Sequence, residues 1–213
     1  GSHFSSMKIA GQTDKDINLT ISTDTTLLTT GASKSFYVNA GGKNVTLASS
    51  TATQDIIINN SNNTDISAAS ALRNVSITSN GNVKLKDLSA LKGNIDVTSV
   101  GSITVTNATN VTGTITLNNE RATLGTDITI TDANSAGRVT IKSAGSITAT
   151  SNNGLASAQT INLTAAEEST IYSDGVSNQD VTVNAVNSLG NSTNFNLYAS
   201  TLEKLTLGGS SPL

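Results

Sequence analysis

Cysteine is absent from this chain, and histidine occurs once, at position 3. Without cysteine the fold can contain no disulfide, and a zinc site built from thiolates is excluded. Because His3 is the single imidazole, the body of the chain cannot assemble a Ser-His-Asp or Cys-His catalytic group. Carboxylate chemistry is the remaining catalytic option.

Aromatic residues and charges are also scarce. Three Phe, three Tyr and no Trp are present, so Ile, Val, Leu and Ala have to fill the interior. Charged residues make up 13% of the chain and the formal net charge is −3, which leaves no basic stripe of the kind that nucleic-acid binding requires. No apolar run approaches the ~20 residues of a membrane helix. We therefore expect no nucleic-acid partner and no membrane insertion.

What the chain has instead is a repeat. Pairs of apolar residues flanking a single residue recur along almost the whole sequence, and their first members lie 19, 20, 19, 20, 20, 24, 22, 20 and 24 positions apart. A fixed period of this length is typical of solenoids. The pairs are Ile17/Leu19, Phe36/Val38, Ile56/Ile58, Val75/Ile77, Ile95/Val97, Ile115/Leu117, Val139/Ile141, Ile161/Leu163, Val181/Val183 and Leu205/Leu207.

Each pair predicts a short strand with one buried face, because side chains two positions apart lie on the same side of a strand. Turn formers such as Gly41-Gly42, Asn80-Gly81-Asn82 and Gly101-Ser102 follow these strands, and both Gly and Asn tolerate positive φ. Clusters such as Ala68-Ala69 and Leu88 with Leu91 indicate, weakly, a third side. A second strand is predicted in several units, at Val45/Leu47, Val83/Leu85, Ile103/Val105 and Ile147/Ala149.

The predicted fold is all-β: a right-handed parallel β-solenoid, or β-helix, of about ten coils of roughly 20 residues. Its handedness follows from the right-handed preference of parallel strand crossovers. An antiparallel sandwich or barrel is the alternative; it accounts for short strands with turns every ~8–12 residues but not for the period of twenty. The longer spacings after Ile115 and Val181 predict loops over residues 121–136 and 186–193.

Stacked coils should align the outward residue inside each apolar pair into one column along the solenoid. Most of these residues are polar, as a solvated sheet face requires. The column is predicted to contain Asn18, Tyr37, Ile57, Ser76, Asp96, Thr116, Thr140, Asn162, Thr182 and Thr206.

The unbroken repeat favours one domain. Residues 1–7 are expected to be a tag or vector remnant, because Gly1-Ser2-His3 is typical of a tag-cleavage scar, and residues 8–213 are expected to form a single solenoid domain excised from a longer protein. Residues 7–15 and 208–213 offer little material to cap the open strand edges, which predicts end-to-end association.

Calcium is the cofactor for which the sequence offers candidate ligands, because several corners are rich in carboxylate and carbonyl oxygens. The candidates are Asp65 in Asn62-Asn63-Thr64-Asp65, Asp127 with Asp132, and Asp174 with Asp180. None of these corners matches the glycine-rich nonapeptide of RTX proteins. The simpler alternative is that Asn and Asp are turn formers here.

The acids offer little for catalysis. Asp16 and Asp55 would lie two coils apart, about 9–10 Å, and Glu167-Glu168 is the only adjacent pair of acids. We therefore expect a protein without enzymatic activity.

Two segments carry a resemblance to known families. Within coils of 19 to 20 residues, phrases such as Gly93-Asn94-Ile95-Asp96-Val97 and Gly145-Ser146-Ile147-Thr148-Ala149 resemble the β-helical shaft of filamentous-haemagglutinin-like adhesins. The ending Leu202-Glu203-Lys204-Leu205-Thr206-Leu207-Gly208-Gly209-Ser210 is similar to the segment that precedes the calcium-binding repeats of RTX-type surface-layer proteins and adhesins. The coil pattern covers residues 17–207.

The surface-layer resemblance implies a non-catalytic structural domain of a secreted bacterial cell-surface protein, located outside the cell. Such a domain would assemble into a surface-layer (S-layer) lattice by contacts with other copies or with neighbouring domains of the same protein, often with calcium. An adhesin shaft that mediates attachment is the alternative. A glycan-binding or carbohydrate-active β-helix is a third; it would take cell-surface glycan as its partner and need a groove formed by the two predicted loops.

Overall fold

In the computed structural model, the described residues are 5–119, 121–122, 126–135, 138–144 and 147–149, followed by six segments between residues 156 and 208 that are described as strand backbone. These residues form strands, turns and no helix, and therefore no helix long and apolar enough to cross a membrane. The strands are, in chain order, β1 (Ser6–Ala10), β2 (Ile17–Thr20), β3 (Thr25–Ser33), β4 (Phe36–Asn39), β5 (Val45–Ala52), β6 (Ile56–Ser61), β7 (Thr64–Ala71), β8 (Val75–Ser79), β9 (Val83–Ala90), β10 (Ile95–Ser99), β11 (Ile103–Asn110), β12 (Ile115–Asn118), β13 (Ile128–Ser135), β14 (Arg138–Ser143), β15 (Ile147–Ala149), β16 (Ala156–Ser157), β17 (Thr160–Ala165), β18 (Ser169–Ser173), β19 (Asp180–Ala185), β20 (Phe195–Ala199) and β21 (Lys204–Gly208).

The strands form two parallel sheets that the chain visits alternately. The first sheet has the order β1-β3-β5-β7-β9-β11-β13-β15-β18-β20, with β16 also paired to β13, and the second has the order β2-β4-β6-β8-β10-β12-β14-β17-β19-β21. Between residues 5 and 119 the chain alternates between the sheets and completes six coils. The predicted parallel β-solenoid is confirmed, and the antiparallel alternative is wrong, because every pairing between described strands of neighbouring coils is parallel.

The register of the second sheet matches the sequence repeat. Each of the ten apolar pairs lies in one strand of this sheet, and the predicted column is in register from Asn18 to Thr206, since each member pairs with the next. Its side chains are exposed or half-exposed from Asn18 to Thr140. A one-residue slip would turn every apolar pair toward solvent, so burial enforces this register.

The apolar pairs from Phe36/Val38 to Val139/Ile141 are buried and form the core together with the inner face of the first sheet. Ile56, Ile58, Ile95 and Val97 are fully buried, and burial of such side chains contributes about 1.5–3 kcal/mol each. Phe36 is the largest fully buried side chain. The interior is therefore aliphatic with a single described ring, as the composition predicts.

Each long strand of the first sheet buries side chains along both of its halves, but the two halves bury opposite faces of the strand. In β5, β7, β9 and β11 the first, third, sixth and eighth residues are buried, so the alternation shifts by one position in mid-strand. Ala69, Leu88 and Ala108 occupy the sixth position, whereas Leu91 and Val111 beyond the strand ends are 44% and 50% exposed. The third side of each coil, which the sequence indicated only weakly, is therefore the second half of these strands.

A polar residue immediately before most strands of the first five coils accepts a hydrogen bond from the next coil. At the first corner ladder (Asp24, Asn44, Asn63, Asn82 and Ser102), the Asn44 N–H donates to Asp24 Oδ1 (2.9 Å) and the Asn63 N–H to Asn44 Oδ1 (3.0 Å). The Asn82 N–H in turn donates to Asn63 Oδ1 (2.8 Å). Each side chain thereby satisfies a corner N–H of the coil above it.

The second corner ladder (Asp16, Ser35, Asp55, Asn74, Asn94 and Thr114) precedes the strands of the second sheet. The Asn94 N–H donates to Asn74 Oδ1 (2.9 Å), and the Thr114 N–H to Asn94 Oδ1 (3.1 Å). The ladder is incomplete at Ser35, whose buried hydroxyl has no hydrogen-bond partner. Serine does not extend this ladder as the longer side chains of Asn and Asp do.

Glycines serve the corners for two different reasons. Gly41 and Gly42 have φ values of 55° and 77°, which suits the predicted role of glycine. Gly101 has no such backbone angle; a Cβ there would lie 2.5 Å from the backbone carbon of Gly81 in the coil below. At this corner the sequence interpretation was incomplete, because glycine is required for the close approach of two coils.

The insertion after Ile115 is confined to one corner. Residues 121–136 were predicted to be a loop, but β13 occupies Ile128–Ser135 and its Ile128 and Ile130 are fully buried. The prediction was wrong over this strand because the extra residues follow the second-sheet strand and leave the next first-sheet strand in place. The other predicted loop, residues 186–193, lies outside the described residues.

Asn119 closes this insertion from the inside. It is fully buried, and its Nδ2 donates to the carbonyl of Thr126 (3.0 Å) across the inserted segment. Its Oδ1 accepts from the N–H of Ala144 in the next coil (3.0 Å). One amide therefore connects the inserted corner to the stack.

We expect Gly101→Ala to lower the free energy of unfolding by about 1–3 kcal/mol, because the added methyl group would meet backbone that cannot rotate away. The matched control is Gly42→Asn, at a position with open space around the missing Cβ and a positive φ that Asn tolerates. The control should lose less than about 1 kcal/mol in urea-induced unfolding. Equal losses in the two variants would show that coil approach does not select glycine at position 101.

Ser35→Ala is expected to raise the free energy of unfolding by about 1 kcal/mol, because it removes a buried hydroxyl without a partner. Ser61→Ala is the matched control: this buried hydroxyl hydrogen-bonds to Thr64 Oγ1 (2.6 Å), and its loss should destabilise by a similar amount. Thermal unfolding of both variants measures the contrast. A Ser35→Ala variant as destabilised as Ser61→Ala would contradict it.

Candidate functional site

The predicted calcium ligands do not converge on one site in the described structure. Asp65 is exposed in β7, and its register neighbours are Thr46 and Lys84. A cation bound to Asp65 would lie one strand away from an ammonium group, which opposes it electrostatically. Among the described residues there is no group of three or more acidic, His or Cys side chains that could hold a metal ion.

The other candidates lie in later coils. Asp127 is exposed, and its carbonyl accepts from the Ile103 N–H (3.2 Å), which places it above Ser102 in the first corner ladder. Asp132 lies in β13 in register with Asn107, and Asp180 begins β19. Asp174 lies outside the described residues. Calcium binding remains a prediction.

The oxygen-rich corner before Asp65 is already engaged in the stack. Asn62 Nδ2 and Asn63 Nδ2 both donate to Asn44 Oδ1, at 3.1 and 3.0 Å, while Asn63 Oδ1 accepts from Asn82. These amides bind the neighbouring coils, which agrees with the simpler interpretation of this corner as structural.

Asp55 is the buried acid of the described structure. Its side chain is 6% exposed, and its Oδ1 accepts from Arg73 Nε (3.2 Å) and from the N–H and Nδ2 of Asn74 (3.1 and 2.9 Å). Its Oδ2 forms an ion pair with Arg73 Nη2. Burial raises the pKa of Asp55, but the hydrogen bonds from Arg73 and Asn74 and the charge of Arg73 outweigh it, so that the pKa lies below its ordinary value.

Asp16 and Asp24 have the same kind of role at the first coil. The Ser35 N–H donates to Asp16 Oδ1 (3.1 Å), so Asp16 and Asp55 belong to one ladder with Ser35 between them. Asp24 accepts from the backbone and the side chain of Asn44, and these two hydrogen bonds, with a smaller contribution from Lys43, lower its pKa despite some desolvation. These acids stabilise corners, and sequence reasoning missed their role although Asp16 and Asp55 stand directly before predicted strands.

A shallow groove of about 340 Å³ crosses the outer face of the first sheet where the long strands change face. Within it, Asn107 Nδ2 donates to Asp87 Oδ1 (3.3 Å). No aromatic ring lines this groove. It is lined by Ser49, Ser50, Thr51, Ala68, Ala69, Ser70, Asp87, Leu88, Ser89, Asn107 and Thr109.

A second concavity, of about 200 Å³, lies on the outer face of the second sheet over its first three strands. Tyr37 and Ile57 are both half-exposed there, and amide side chains surround them. Sequence analysis placed Tyr37 and Ile57 in the outward column but did not identify the site. The signal available in the sequence was that these two residues are large and mainly apolar, unlike the other members of the column. The lining residues are Asn18, Leu19, Thr20, Tyr37, Val38, Asn39, Ile57 and Asn59.

An exposed apolar ridge follows the corner after the long strands. Leu72, Leu91 and Val111 are 37%, 44% and 50% exposed. Their N–H groups donate to carbonyls of the preceding coil at equivalent positions, so the three side chains stand above one another.

Asp55 should make stability depend on pH. Because its folded-state pKa is lowered, its ionised form stabilises the fold above the ordinary value of about 3.9, and this contribution is lost as the pH falls through the folded-state pKa. We expect Asp55→Asn to lower the free energy of unfolding at pH 7 by about 1–3 kcal/mol. The difference from the parent should shrink toward pH 2.

Urea-induced unfolding at pH 7, 5, 3 and 2 measures this dependence. Asp65→Asn, which removes an exposed acid from the outer face, controls for the loss of one negative charge. A parent and an Asp55→Asn variant that lose stability in parallel as the pH falls would contradict the assignment.

Comparison with known proteins identifies no relative: no family model matches the chain, and neither a curated protein nor a solved structure is significantly similar to it. The function is therefore argued from the surfaces of the solenoid itself.

Proposed function

We propose that this chain is a non-catalytic structural domain of a secreted bacterial cell-surface protein, and that copies of the solenoid associate into a surface-layer lattice. The proposal rests on the open edge at the first coil. Among the described strands, β1 pairs with β3 alone and β2 with β4 alone. Each of these edge strands has a side whose N–H and C=O groups face no other described strand, which favours pairing with another chain.

The inner face of the first coil supports the same proposal. Met7, Ile9, Ile17 and Leu19 pack against the core but are only partly buried, whereas Leu27 in the next coil is fully buried. Apolar area that remains at the end of a stack is stabilised when another coil covers it. A second copy placed end-to-end, or a neighbouring domain of the same protein, supplies such a coil.

The outer faces suit contact with further copies along the sides. They carry short polar side chains in columns spaced by about 4.8 Å, with few charges to repel a neighbour. The ridge of Leu72, Leu91 and Val111 adds an apolar strip parallel to the stack. Straight, nearly neutral faces of this kind pack side by side more readily than a densely charged surface does.

An adhesin shaft is the second candidate. The same stack of strands would hold a binding domain away from the cell, and it would need neither lateral contacts nor calcium. Self-association and its response to calcium distinguish the two candidates.

We expect the protein to form larger species as its concentration rises, because the apolar end of one copy is covered by another. Light scattering over a concentration series measures this association, and the same samples with and without millimolar calcium, followed through thermal unfolding, test for a calcium-dependent lattice. Assembly with a raised melting temperature in calcium supports a calcium-dependent lattice, while association without a calcium response supports a lattice that does not depend on calcium.

Ile17→Lys places a charge at the open edge and should reduce self-association at least about tenfold, because a buried unpaired charge is costly. Thr116→Lys, which places the same charge on an outer face in mid-stack, separates the two kinds of contact, because it can weaken the lateral contacts but leaves the open edge unchanged. A parent that remains a strict monomer at high concentration would count against the lattice and favour the shaft.

A further inference from the structure

The outer face of β2, β4 and β6 presents a small grid of side chains. Asn18, Tyr37 and Ile57 pair in one column of the register. Thr20, Asn39 and Asn59, two positions further along each strand, pair in the next column on the same face. The grid therefore places one phenol ring and one aliphatic side chain beside a row of amides and a hydroxyl, around a concavity of about 200 Å³.

The amides of this grid differ from those of the corners. Asn44, Asn63 and Asn74 use their side-chain oxygens to accept N–H groups of the next coil. Asn18 and Asn59 form no side-chain hydrogen bond to any described residue and stand exposed on the face. The corner amides are thus occupied by the fold, whereas these two are available to a ligand.

The chemistry of the grid matches a saccharide. A sugar ring has an apolar face of C–H groups, which packs on an aromatic ring, and hydroxyl groups that both donate and accept hydrogen bonds. An amide side chain offers one acceptor and two donors, so it can serve a hydroxyl in either role. No charged side chain lines the concavity, and the charge of Arg73, which acts on Tyr37 from nearby, is paired with Asp55; this favours a neutral sugar over a charged one.

A peptide fits this face poorly. An extended peptide gains affinity by pairing its backbone with a free strand edge, but the face of β4 has its backbone paired on both sides, with β2 and with β6. The larger groove on the first sheet has polar side chains and lacks an aromatic ring. The outward column beyond Ile57 continues with Ser76, Asp96 and Thr116 and likewise offers no ring.

We propose that the Tyr37 face, defined by Asn18, Thr20, Tyr37, Asn39, Ile57 and Asn59, is a binding site for neutral saccharides. Tyr37 and Ile57 provide the platform on which the sugar ring packs. Asn18 and Asn59, at the two ends of the grid, hydrogen-bond its hydroxyl groups. Asn18 and Thr20 lie on the edge strand β2, but their side chains stand exposed on the outer face, whereas the proposed end-to-end contact uses the free backbone edge of that strand and its inward side chains Ile17 and Leu19.

Saturation-transfer NMR with the methyl glycosides of glucose, galactose, mannose and N-acetylglucosamine, followed by a titration with the best of them, tests the proposal. We expect saturable binding to at least one of these probes. Tyr37→Ala should weaken it about tenfold or more through the lost ring contact. Tyr37→Phe, which keeps the ring, should stay within about threefold, and Asn59→Ala should weaken binding with no change in thermal stability.

Thr116→Ala, in the same outward column three coils beyond Ile57, is the matched control and should bind as the parent does. Thermal unfolding of each variant separates loss of the site from loss of the fold. The proposal is overturned if none of the four glycosides binds, if Tyr37→Ala binds as tightly as the parent, or if galacturonic acid binds more tightly than galactose.

Discussion

Stacking in register is the constraint on which the rest of this structure depends. Each coil is covered by the next, so a residue at one position meets its equivalent one period later, and the two must suit each other. Ile56 meets Val75, and Val75 meets Ile95, all fully buried. At the corners the same rule places an amide oxygen beneath an N–H that has no strand partner. Core packing and corner hydrogen bonds therefore both follow from the period of about twenty residues.

Much of the fold could be predicted from this period. The apolar pairs predicted every strand of the second sheet and its register, because side-chain alternation and burial leave a strand only one way to face the core. The second strands at Val45, Val83, Ile103 and Ile147 are also confirmed. The repeat predicted less about the first sheet, since a strand that changes face in mid-course, such as β9, breaks the simple alternation on which such predictions rest.

What the sequence could not provide were contacts between residues far apart in it. The close approach of Gly101 to Gly81 depends on the distance between two coils, and the sequence shows only that both positions are glycine. The ion pair of Asp55 with Arg73 joins residues 18 positions apart whose charges carry no local pattern. The Tyr37 face is a similar case, because its members come from three strands. The sequence also does not distinguish asparagines whose side chains hydrogen-bond to the next coil from those, such as Asn18 and Asn59, that do not.

The first corner ladder runs in one direction, since Asp24, Asn44, Asn63 and Asn82 each accept from the coil that follows. A copied or deleted block of one whole period keeps the strands of the remaining coils in register, so that most corner N–H groups again meet a side-chain oxygen. Changes of length are therefore easiest in whole coils, whereas a shorter insertion has to be absorbed at a corner, as it is around Asn119. The length of the solenoid can therefore change in steps of one coil, about 20 residues, with the fewest altered contacts.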